Sequence, residues 1–484
     1  MTPSMETRSL KKVTAIWVIA ILVLFLASII LGILMRFNQG TVLKMGNDTF
    51  YATLTTHGVT MIGIWTAAGL VGINYLLGRY VKTSAGLSIF ALILTVIGVV
   101  MLWMSTFAGN FHAAWTFLYP LPLFKAWDSW ATPLFLYSLA VFGVAWLVWS
   151  VGMMVQILKK YSITEIFAWQ HLSGKEPEKK TPPFILISSV SLIGIILSLI
   201  VAVILLVLFF AEIYSSGTFT NDSLLMKNLT FFFGHTIANE ALYLGLALVY
   251  ELLPEVSGRK RFETTWYVAL GWNMTMIFVL TAFFHHMYMD FVQPGGFQVI
   301  GQLASYFASL PAAGVTAFSV ATLVFRNRIK WTLTNLFFFI GITGWLIGGV
   351  GAVIDSTISN NIILHNTLWV PAHFHTYNAM GNVLLCMGFF WWVAHDIAGV
   401  TDSNKSHKLT LALLLIGGFG FVLMFYLGGA GSVPRRYALY PEGLSAGATY
   451  AAAAGWFATV YLVGMVMVFS TIVSRCTKAF SSAS

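Results

Sequence analysis

Charged side chains are scarce in this sequence. Asp, Glu, Lys and Arg make up 9% of its 484 residues, whereas a soluble globular domain carries about 25%. With 58% hydrophobic residues, the chain cannot cover a water-facing surface, so it must lie in a lipid bilayer. This composition excludes a secreted, cytosolic or nucleic-acid-binding protein. The formal net charge of +9 is explained by the excess of Lys and Arg that membrane proteins carry in their cytoplasmic loops.

Cysteine is also nearly absent. The two cysteines, Cys386 and Cys476, are far apart in the sequence, one in an apolar run and one near the C-terminus. A disulfide framework needs several paired cysteines, and a thiolate metal site needs them closely spaced. The sequence therefore indicates neither.

Long apolar runs account for most of the chain. A helix needs roughly 20 apolar residues to cross the hydrocarbon core, and windows of that length predict an all-α fold with about twelve membrane-spanning helices. The first run begins after Arg8, Lys11 and Lys12 and is followed by no small-residue cleavage site, so we interpret it as a retained helix rather than a signal peptide. The predicted spans are 13–35, 55–78, 86–108, 131–158, 183–213, 226–253, 264–291, 297–325, 331–354, 367–394, 409–430 and 449–474.

The distribution of Lys and Arg between the loops predicts the orientation. The N-terminus, the even-numbered loops and the C-terminal tail hold 20 of the 26 basic residues, and the other loops hold the remaining 6. This asymmetry predicts twelve spans with both termini in the cytoplasm. The polar stretch Ser173–Pro183 is predicted to be a cytoplasmic linker. No second domain is indicated, so residues 1–484 are predicted to form one transmembrane domain.

Six of the eleven histidines fall inside predicted spans, where an ionisable side chain is costly and needs a partner. A hydrogen bond to a neighbouring helix would explain any one of them alone. At about 1.5 Å per residue, however, all six lie between a few and roughly 13 Å below the outer surface. Four helices thus present histidines at one level, as a shared metal or cofactor layer requires. The six residues are His57, His235, His285, His286, His373 and His375.

The spacing of these histidines separates them into centres. His373 and His375 are two residues apart, about 200° round a helix, so they cannot share one metal and each should bind its own centre. His285 and His286 are about 100° apart and could converge on one metal with His235, as a three-imidazole site for copper, iron or zinc. The remaining histidine of the six would then be a partner for one of the two centres that flank the tenth helix.

Three histidine-bearing segments, His57–Met61, His285–His286 and Pro371–His375, resemble the signature helices of the catalytic subunit, subunit I, of the heme-copper oxidase superfamily. The resemblance runs through the whole chain and extends to Trp115–Pro120 and Val433–Tyr437. It implies a transmembrane bundle of about twelve helices that binds two hemes and one non-heme metal. It also implies a multi-pass protein of a bacterial or archaeal cytoplasmic membrane.

The resemblance implies a role for each of the six histidines. His57 and His375 correspond to the axial ligands of a six-coordinate low-spin heme. His373 corresponds to the proximal ligand of a high-spin heme whose other face stays open for a diatomic substrate. The ligands of the non-heme metal correspond to His235, His285 and His286.

Two further motifs correspond to residues at the heme propionates. Arg435 and Arg436 match arginines that hold propionates by charge-assisted hydrogen bonds. His365 begins a His-Asn-Thr segment that stands where oxidases have His-Asp-Thr near the propionates and bind a magnesium ion. Asn366 replaces the anionic ligand, so a magnesium ion is not expected there.

The sequence departs from the oxygen-reducing members at the active-site tyrosine. In most of them this tyrosine stands four residues after the first histidine of the metal site, and here that position is Asn239. A second branch takes it from the seventh helix, where this chain has 278–281, Phe-Val-Leu-Thr. Asn239 lies on the ligand face by geometry and could bind the metal or hydrogen-bond to substrate, whereas Glu240, about 100° round the helix, could reach it only if the helix is distorted. Alternatively, Asn239 fills the vacated space and Glu240 pairs with a neighbouring helix.

The missing tyrosine favours a divergent nitric oxide reductase, which converts two NO, two electrons and two protons into N₂O and water. A proton-feeding lysine of many oxidases is also replaced, by Thr316, so we expect no proton pumping. Protons are expected from the outer side, with Asp290, Asp355 and Asn361 as polar candidates. The alternatives are an oxygen reductase, using cytochrome c or quinol, and a non-redox transporter or heme carrier.

The same resemblance implies the cofactors and partners. We expect two hemes of b type and a non-heme metal, with iron favoured over copper. The chain has no Cys-x-x-Cys-His heme attachment motif and no copper-thiolate site. Electrons should therefore come from a separate subunit on the outer face, either a cupredoxin-like copper protein or a cytochrome c.

Overall fold

The computed structural model describes residues 5–173, 177–325, 327–402 and 407–481. These ranges contain no β-strand, only one isolated bridge between Thr367 and Pro434, which agrees with the predicted all-α class. Long helical segments, numbered α1 to α12, form the bundle. Their bounds are α1 Met5–Gln39, α2 Asn47–Leu77, α3 Ala85–Trp103, α4 Ala131–Leu158, α5 Pro183–Tyr214, α6 Ser223–Val256, α7 Trp266–Val279, α8 Gly296–Val324, α9 Leu333–Ser356, α10 Trp369–Ala398, α11 Lys408–Ala430 and α12 Ser445–Cys476.

Eleven helices of the described chain are long and apolar enough to cross a membrane. The predicted span 367–394 is not among them, although α10 is helical throughout. It consists of an α-helix over Trp369–His375, a π-helix over Thr376–Asn382 and an α-helix over Val383–Ala398. The twelve-span prediction therefore corresponds to eleven candidate crossings and the interrupted helix α10. A π-helical segment inside an α-helix is frequently found at a functional site.

The predicted span 264–291 corresponds to the candidate crossing Trp266–Met287, but it is not one continuous α-helix. Helix α7 ends at Val279, and a short 3₁₀ helix over Ala282–Met287 follows it. The predicted linker Ser173–Pro183 lies partly outside the described residues, since 174–176 are not described. Its described part contains no helix before α5 begins at Pro183.

Helices that follow each other in sequence pack side by side, as α1 does on α2, α3 on α4, α5 on α6 and α11 on α12. Helix α6 is the most enclosed crossing, because 89% of its most apolar stretch is buried, against 33% for α3, α8 and α11. A helix that is covered on all sides lies in the centre of a bundle. The chain thus places His235, which lies on α6, in the interior of the protein.

Helix α9 supports the interrupted part of α10. A Cβ atom on Gly348 would lie 2.7 Å from the backbone nitrogen of Tyr377, so only glycine permits this approach of the two helices.

The first and last helical elements of the described chain lie near each other. Lys11 of α1 pairs with Asp396 of α10 at 2.9 Å, and the C-terminal helix Lys478–Ser481 also contacts both α1 and α10. Both ends of the described chain thus lie at one end of the bundle, as an even number of crossings requires.

Candidate metal and heme site

The structure brings His235, His285 and His286 together. One ring nitrogen from each lies within 4.8 Å of the others, and the ring centroids are 4.9 Å apart for His235 and His285 and 5.3 Å for His235 and His286. Three imidazoles that face one point form a donor set for copper, iron or zinc. Because three protein ligands leave a coordination position open, such a set suits a catalytic rather than a structural metal.

His285 and His286 lie on the 3₁₀ helix rather than on an α-helix, so they are about 120° apart instead of 100°. Helix α8 packs tightly against this short element, since a Cβ on Gly301 would lie 2.9 Å from the backbone nitrogen of His285. Phe231 of α6 stacks on the ring of His286, with centroids 5.0 Å apart and an interplanar angle of 16°. The two adjacent histidines can therefore point at one metal although the α-helix has already ended.

A hydroxyl group on α8 orients His285. The hydroxyl of Ser305 has two carbonyl acceptors, Gly301 at 2.6 Å and Ala282 at 3.3 Å, and its oxygen lies 2.9 Å from Nδ1 of His285. With the hydroxyl proton on a carbonyl oxygen, the serine oxygen accepts a hydrogen bond from the Nδ1–H of His285. This tautomer leaves Nε2 unprotonated and free to bind a metal.

His57 and His375 are oriented by main-chain oxygens. Nδ1 of His57 donates to the carbonyl oxygen of Ser28, and Nδ1 of His375 donates to that of Pro371, both at 2.7 Å. In each ring Nε2 is the remaining nitrogen, and both residues line one cavity. The ring of His375 also stacks on Phe425 at 5.2 Å and 10°. Two neutral imidazoles that each present Nε2 are suited to be axial ligands of one heme iron.

His373 lines the same cavity from α10. Its Nε2 atom lies 3.5 Å from Oδ2 of Asp355 and is buried without a hydrogen-bond partner in the described residues. Asp355 in turn is next to Asn361, whose amide nitrogen donates to the Asp355 carbonyl oxygen at 2.8 Å. A buried ring nitrogen that makes no hydrogen bond and lies on a cavity wall is a candidate heme ligand.

All six histidines line one continuous cavity of about 570 Å³. A bound macrocycle would satisfy two polar atoms of its wall that lack partners among the described residues, Nε2 of His373 and Nε of Arg435. The lining is largely apolar and aromatic, with Trp115, Phe374 and Phe421 among its members. The residues present therefore fit heme, which needs axial nitrogens, apolar ring contacts and cations for its propionates.

One end of this cavity, called here the outer rim, is formed by His365, Arg435 and Arg436. Burial lowers the pKa of Arg435 to about 9, with a further lowering by the charge of Arg436. Burial and the charge of Arg435 also lower the pKa of His365. An anion bound at this rim would offset these unfavourable charges, as propionates would.

The two predicted propionate motifs contact each other. The backbone nitrogen of Arg435 donates to the carbonyl oxygen of Asn366 at 2.9 Å, and an isolated bridge joins Thr367 to Pro434. The segment that contains His365 and the segment that contains Arg435 thus form one wall of the outer rim.

Asn239 and Glu240 point in different directions. Asn239 lines the cavity, and its amide nitrogen donates to the carbonyl oxygen of His235 at 2.9 Å and lies 3.4 Å from Nδ1 of the same residue. The carboxyl group of Glu240 lies against Gly194 of α5, and neither of its oxygens has a hydrogen-bond partner among the described residues. The described cavity lining does not include Glu240. The structure therefore does not place Glu240 at the three imidazoles, because α6 runs through this region without distortion.

Several residues of the site were not identified from the sequence. Lys227 binds Asp290 with Nζ 2.6 Å from Oδ1, and Tyr377 lines the cavity. The spacing of four residues between His373 and Tyr377, one helical turn, was a usable signal for the tyrosine. No local pattern links Lys227 to Asp290, which are 63 residues apart.

A group of hydroxyls lies at the other end of α6, away from the outer rim. The Tyr250 hydroxyl lies 3.2 Å from that of Thr316 and 3.5 Å from that of Ser319. Nearer the cavity, the Tyr243 hydroxyl donates to the carbonyl oxygen of Ala308 at 2.9 Å. Thr316 is the residue that stands in place of the proton-feeding lysine, whereas Tyr243, Tyr250 and Ser319 were not identified, because serine and tyrosine in an apolar helix give no distinctive pattern.

Comparison with known proteins gives a consistent result. Residues 12–473 match the family described as cytochrome c and quinol oxidase polypeptide I. The chain is 25% identical over 412 residues to cytochrome c oxidase subunit 1 of Thermus thermophilus, covering 80% of this chain and 69% of the relative. It is 26% identical over 408 residues to cytochrome c oxidase subunit 1 of Synechocystis, covering 81% and 70%.

A solved structure has the same fold. It comes from a cryo-EM study of a heme-copper terminal oxidase dimer, and it aligns with a TM-score of 0.77 at 21% sequence identity. The alignment covers 96% of this chain and 84% of that chain. The bundle of α1 to α12 is therefore the fold of that oxidase chain.

Proposed function

Because the chain belongs to the cytochrome c and quinol oxidase polypeptide I family, we propose that it is the catalytic subunit of a membrane-bound reductase of diatomic gases. Its cavity would hold one heme on His57 and His375, a second heme on His373, and a metal on the three imidazoles of α6 and the 3₁₀ helix. The observation that carries this proposal is that all six histidines line a single cavity.

The bound hemes and metal would supply electrons and an open coordination position for the substrate. The residues of this chain set the geometry. Hydrogen bonds from Nδ1 of His57 and His375 to carbonyl oxygens fix the direction of each Nε2, and Ser305 does the same for His285. The cations Arg435 and Arg436 would hold propionates, and the apolar lining would keep bulk water from the reacting atoms.

We propose NO as the substrate, on the basis of Asn239. This residue occupies the wall beside His235, where most oxygen reductases of the superfamily have tyrosine. Coupling of two NO to N₂O and water takes two electrons and two protons and needs no electron from a side chain. The amide of Asn239 is placed to donate a hydrogen bond to a ligand in the cavity. Iron remains our proposal for the metal, with copper as the alternative.

Oxygen is the second candidate substrate, and two observations favour it. The two relatives described above carry the name cytochrome c oxidase subunit 1. In addition, Tyr377 gives the cavity a tyrosine from α10, even though the two positions used elsewhere in the superfamily hold other residues. The names of the relatives thus favour O₂, and the side chain next to His235 favours NO.

Either reaction consumes protons, and two groups of polar residues could deliver them. On the outer side, Asp290 and Asp355 are close to Lys227 and His373, respectively. On the other side, the hydroxyls of Tyr250, Thr316 and Ser319 lie near the cytoplasmic end of α6. We propose the outer group as the proton source, and a separate subunit on that side as the electron donor.

The experiment that tests the substrate compares NO and O₂ consumption by one purified preparation of the membrane complex, driven by an artificial electron donor. We expect N₂O formation at a rate above that of O₂ consumption. A higher rate of O₂ consumption would favour O₂ over NO as the substrate. The variant His235→Ala is the control, and it should abolish both rates. A preparation that contains no heme would instead favour a transporter and contradict the whole proposal.

A further inference from the structure

The three imidazoles of the metal site are carried by two separate elements. His235 lies on the long helix α6, whereas His285 and His286 lie on a 3₁₀ helix of six residues, Ala282–Met287. A short 3₁₀ helix has weaker hydrogen-bond geometry than an α-helix. Its position relative to α6 therefore depends on contacts from outside the element.

Two polar contacts tie the first turns of α6 to the segment that follows the 3₁₀ helix. Nζ of Lys227 lies 2.6 Å from Oδ1 and 2.7 Å from Oδ2 of Asp290. Next to this ion pair, the amide nitrogen of Gln293 donates to the side-chain oxygen of Asn228 at 3.0 Å. Residues 227 and 228 are consecutive, so both contacts hold the same turn of α6.

The ion pair lies about two helical turns from His235 along α6. Lys227, Phe231 and His235 follow each other at intervals of four residues on α6, which places them along one side of the helix. Asp290 lies four residues after His286, beyond the end of the 3₁₀ helix. Between the two ends, Phe231 stacks on His286 at 5.0 Å. The two elements are thus joined at three levels, by the ion pair, the ring stack and the imidazoles.

The pair is partly withdrawn from water. The side chain of Lys227 is 30% exposed and that of Asp290 is 21% exposed. Exposed ion pairs contribute little because water screens them, but here both groups are largely withdrawn from water at the rim of an apolar cavity. The lysine ammonium contacts both carboxylate oxygens, so the pair also restrains the direction of the segment.

We propose that Lys227 and Asp290 are positioning residues for the non-heme metal. Their ion pair fixes the 3₁₀ helix that carries His285 and His286 against the helix that carries His235. This inference rests on the proposed metal at the three imidazoles. The residues do not touch the metal, and they act on it as supporting groups act on other metal sites, where removing one lowers metal affinity roughly 10- to 100-fold.

The test uses the purified complex and four variants. Lys227→Met and Asp290→Asn each remove one charge, and the double variant Lys227→Asp with Asp290→Lys restores the pair in reverse. Lys44→Met is the matched control, because Lys44 is an exposed lysine of the loop between α1 and α2. After chelation, each protein is titrated with Cu²⁺ and with Fe²⁺, and the low-spin heme spectrum is recorded as an internal control of folding.

We expect each single variant to bind the metal about 10-fold more weakly while the low-spin heme spectrum stays unchanged. The charge-reversed double variant should recover most of the affinity, and Lys44→Met should equal the unaltered protein. The inference is overturned if either single variant binds metal as tightly as the unaltered protein, if the reversed pair gives no recovery, or if low-spin heme is lost in parallel with the metal. If the unaltered protein itself binds no metal, the proposed function fails instead.

Discussion

The two groups of imidazoles in the cavity are held in different ways. His57 and His375 each donate from Nδ1 to a main-chain carbonyl oxygen at 2.7 Å, and both lie on long helical segments. Of the three clustered histidines, two lie on a 3₁₀ helix, and their supports are side chains. Ser305 accepts from His285, and Phe231 stacks on His286.

This difference predicts unequal tolerance to substitution. A main-chain carbonyl remains in place when its side chain is changed, so the pair His57 and His375 is supported by the fold itself. The three-imidazole cluster depends on individual side chains, each of which a mutation can remove. We therefore expect single substitutions to remove the non-heme metal while the low-spin heme stays bound.

The largest effect should come from removing a ligand of the cluster. In His235→Ala, turnover should fall by at least about 100-fold, because loss of a direct ligand costs more than loss of a supporting group. Metal analysis should show the non-heme metal missing, and the optical spectrum should retain the low-spin heme. Loss of both hemes along with the metal would mean that the two groups are not independent.

Removing an axial ligand should have the opposite pattern. In His57→Ala we expect loss of the low-spin heme spectrum and of electron transfer from the donor, while the metal stays on the three imidazoles. Heme spectra combined with metal analysis check this. Retention of a six-coordinate low-spin spectrum would show that His57 is not an axial ligand.

Asn239→Ala tests the wall beside His235 without changing a ligand. We expect NO turnover to fall by up to about 100-fold, the lower end of the range for loss of a hydrogen-bond donor at a reacting group, with hemes and metal still bound. Steady-state N₂O formation measures the effect. Unchanged NO turnover would favour the alternative that Asn239 only fills space. Asn239→Tyr is expected to give no gain in O₂ consumption.

Ser305→Ala should have a smaller effect, confined to the cluster. The change removes the acceptor of the hydrogen bond from His285 and should lower metal affinity about 10-fold. A metal titration after chelation measures it, with Ser309→Ala, a change at another cavity-lining serine of α8, as the matched control. Equal affinities of the two variants would contradict a supporting role for Ser305.

Glu240→Gln should have the smallest effect. Since this carboxyl group lies against Gly194 of α5 and outside the described cavity lining, we expect metal content and NO turnover to equal those of the unaltered protein. The amide has nearly the same shape as the carboxyl group, so packing is preserved. Loss of the metal in this variant would return Glu240 to the list of ligands.

The sequence was sufficient for the parts of the molecule that regular helices determine. The apolar runs predicted the bundle, and the depth of the six histidines predicted that they would lie in one layer of the membrane. The sequence predicted that His285 and His286 meet His235, but it did not predict the 3₁₀ helix that carries them. The α-helix ends at Val279, and no residue there signals that end.

Other features depend on contacts between distant segments. The ion pair of Lys227 and Asp290 joins residues 63 positions apart, and the direction of Glu240 is set by the packing of α5 on α6. A helical rotation of about 100° placed Asn239 on the ligand face and Glu240 away from it, but it could not show that the Glu240 carboxyl group packs against Gly194. The relation of the His365 segment to Arg435 likewise appears only when the chain is folded.

Counting the cofactors of one purified chain tests the central claim most directly. Heme extraction, optical spectroscopy and metal analysis of the same preparation should give two hemes, one low-spin and one high-spin, and one non-heme metal that is absent from His235→Ala. A chain that contains no heme, or one whose non-heme metal survives loss of His235, would contradict the assignment of the six histidines to these three centres.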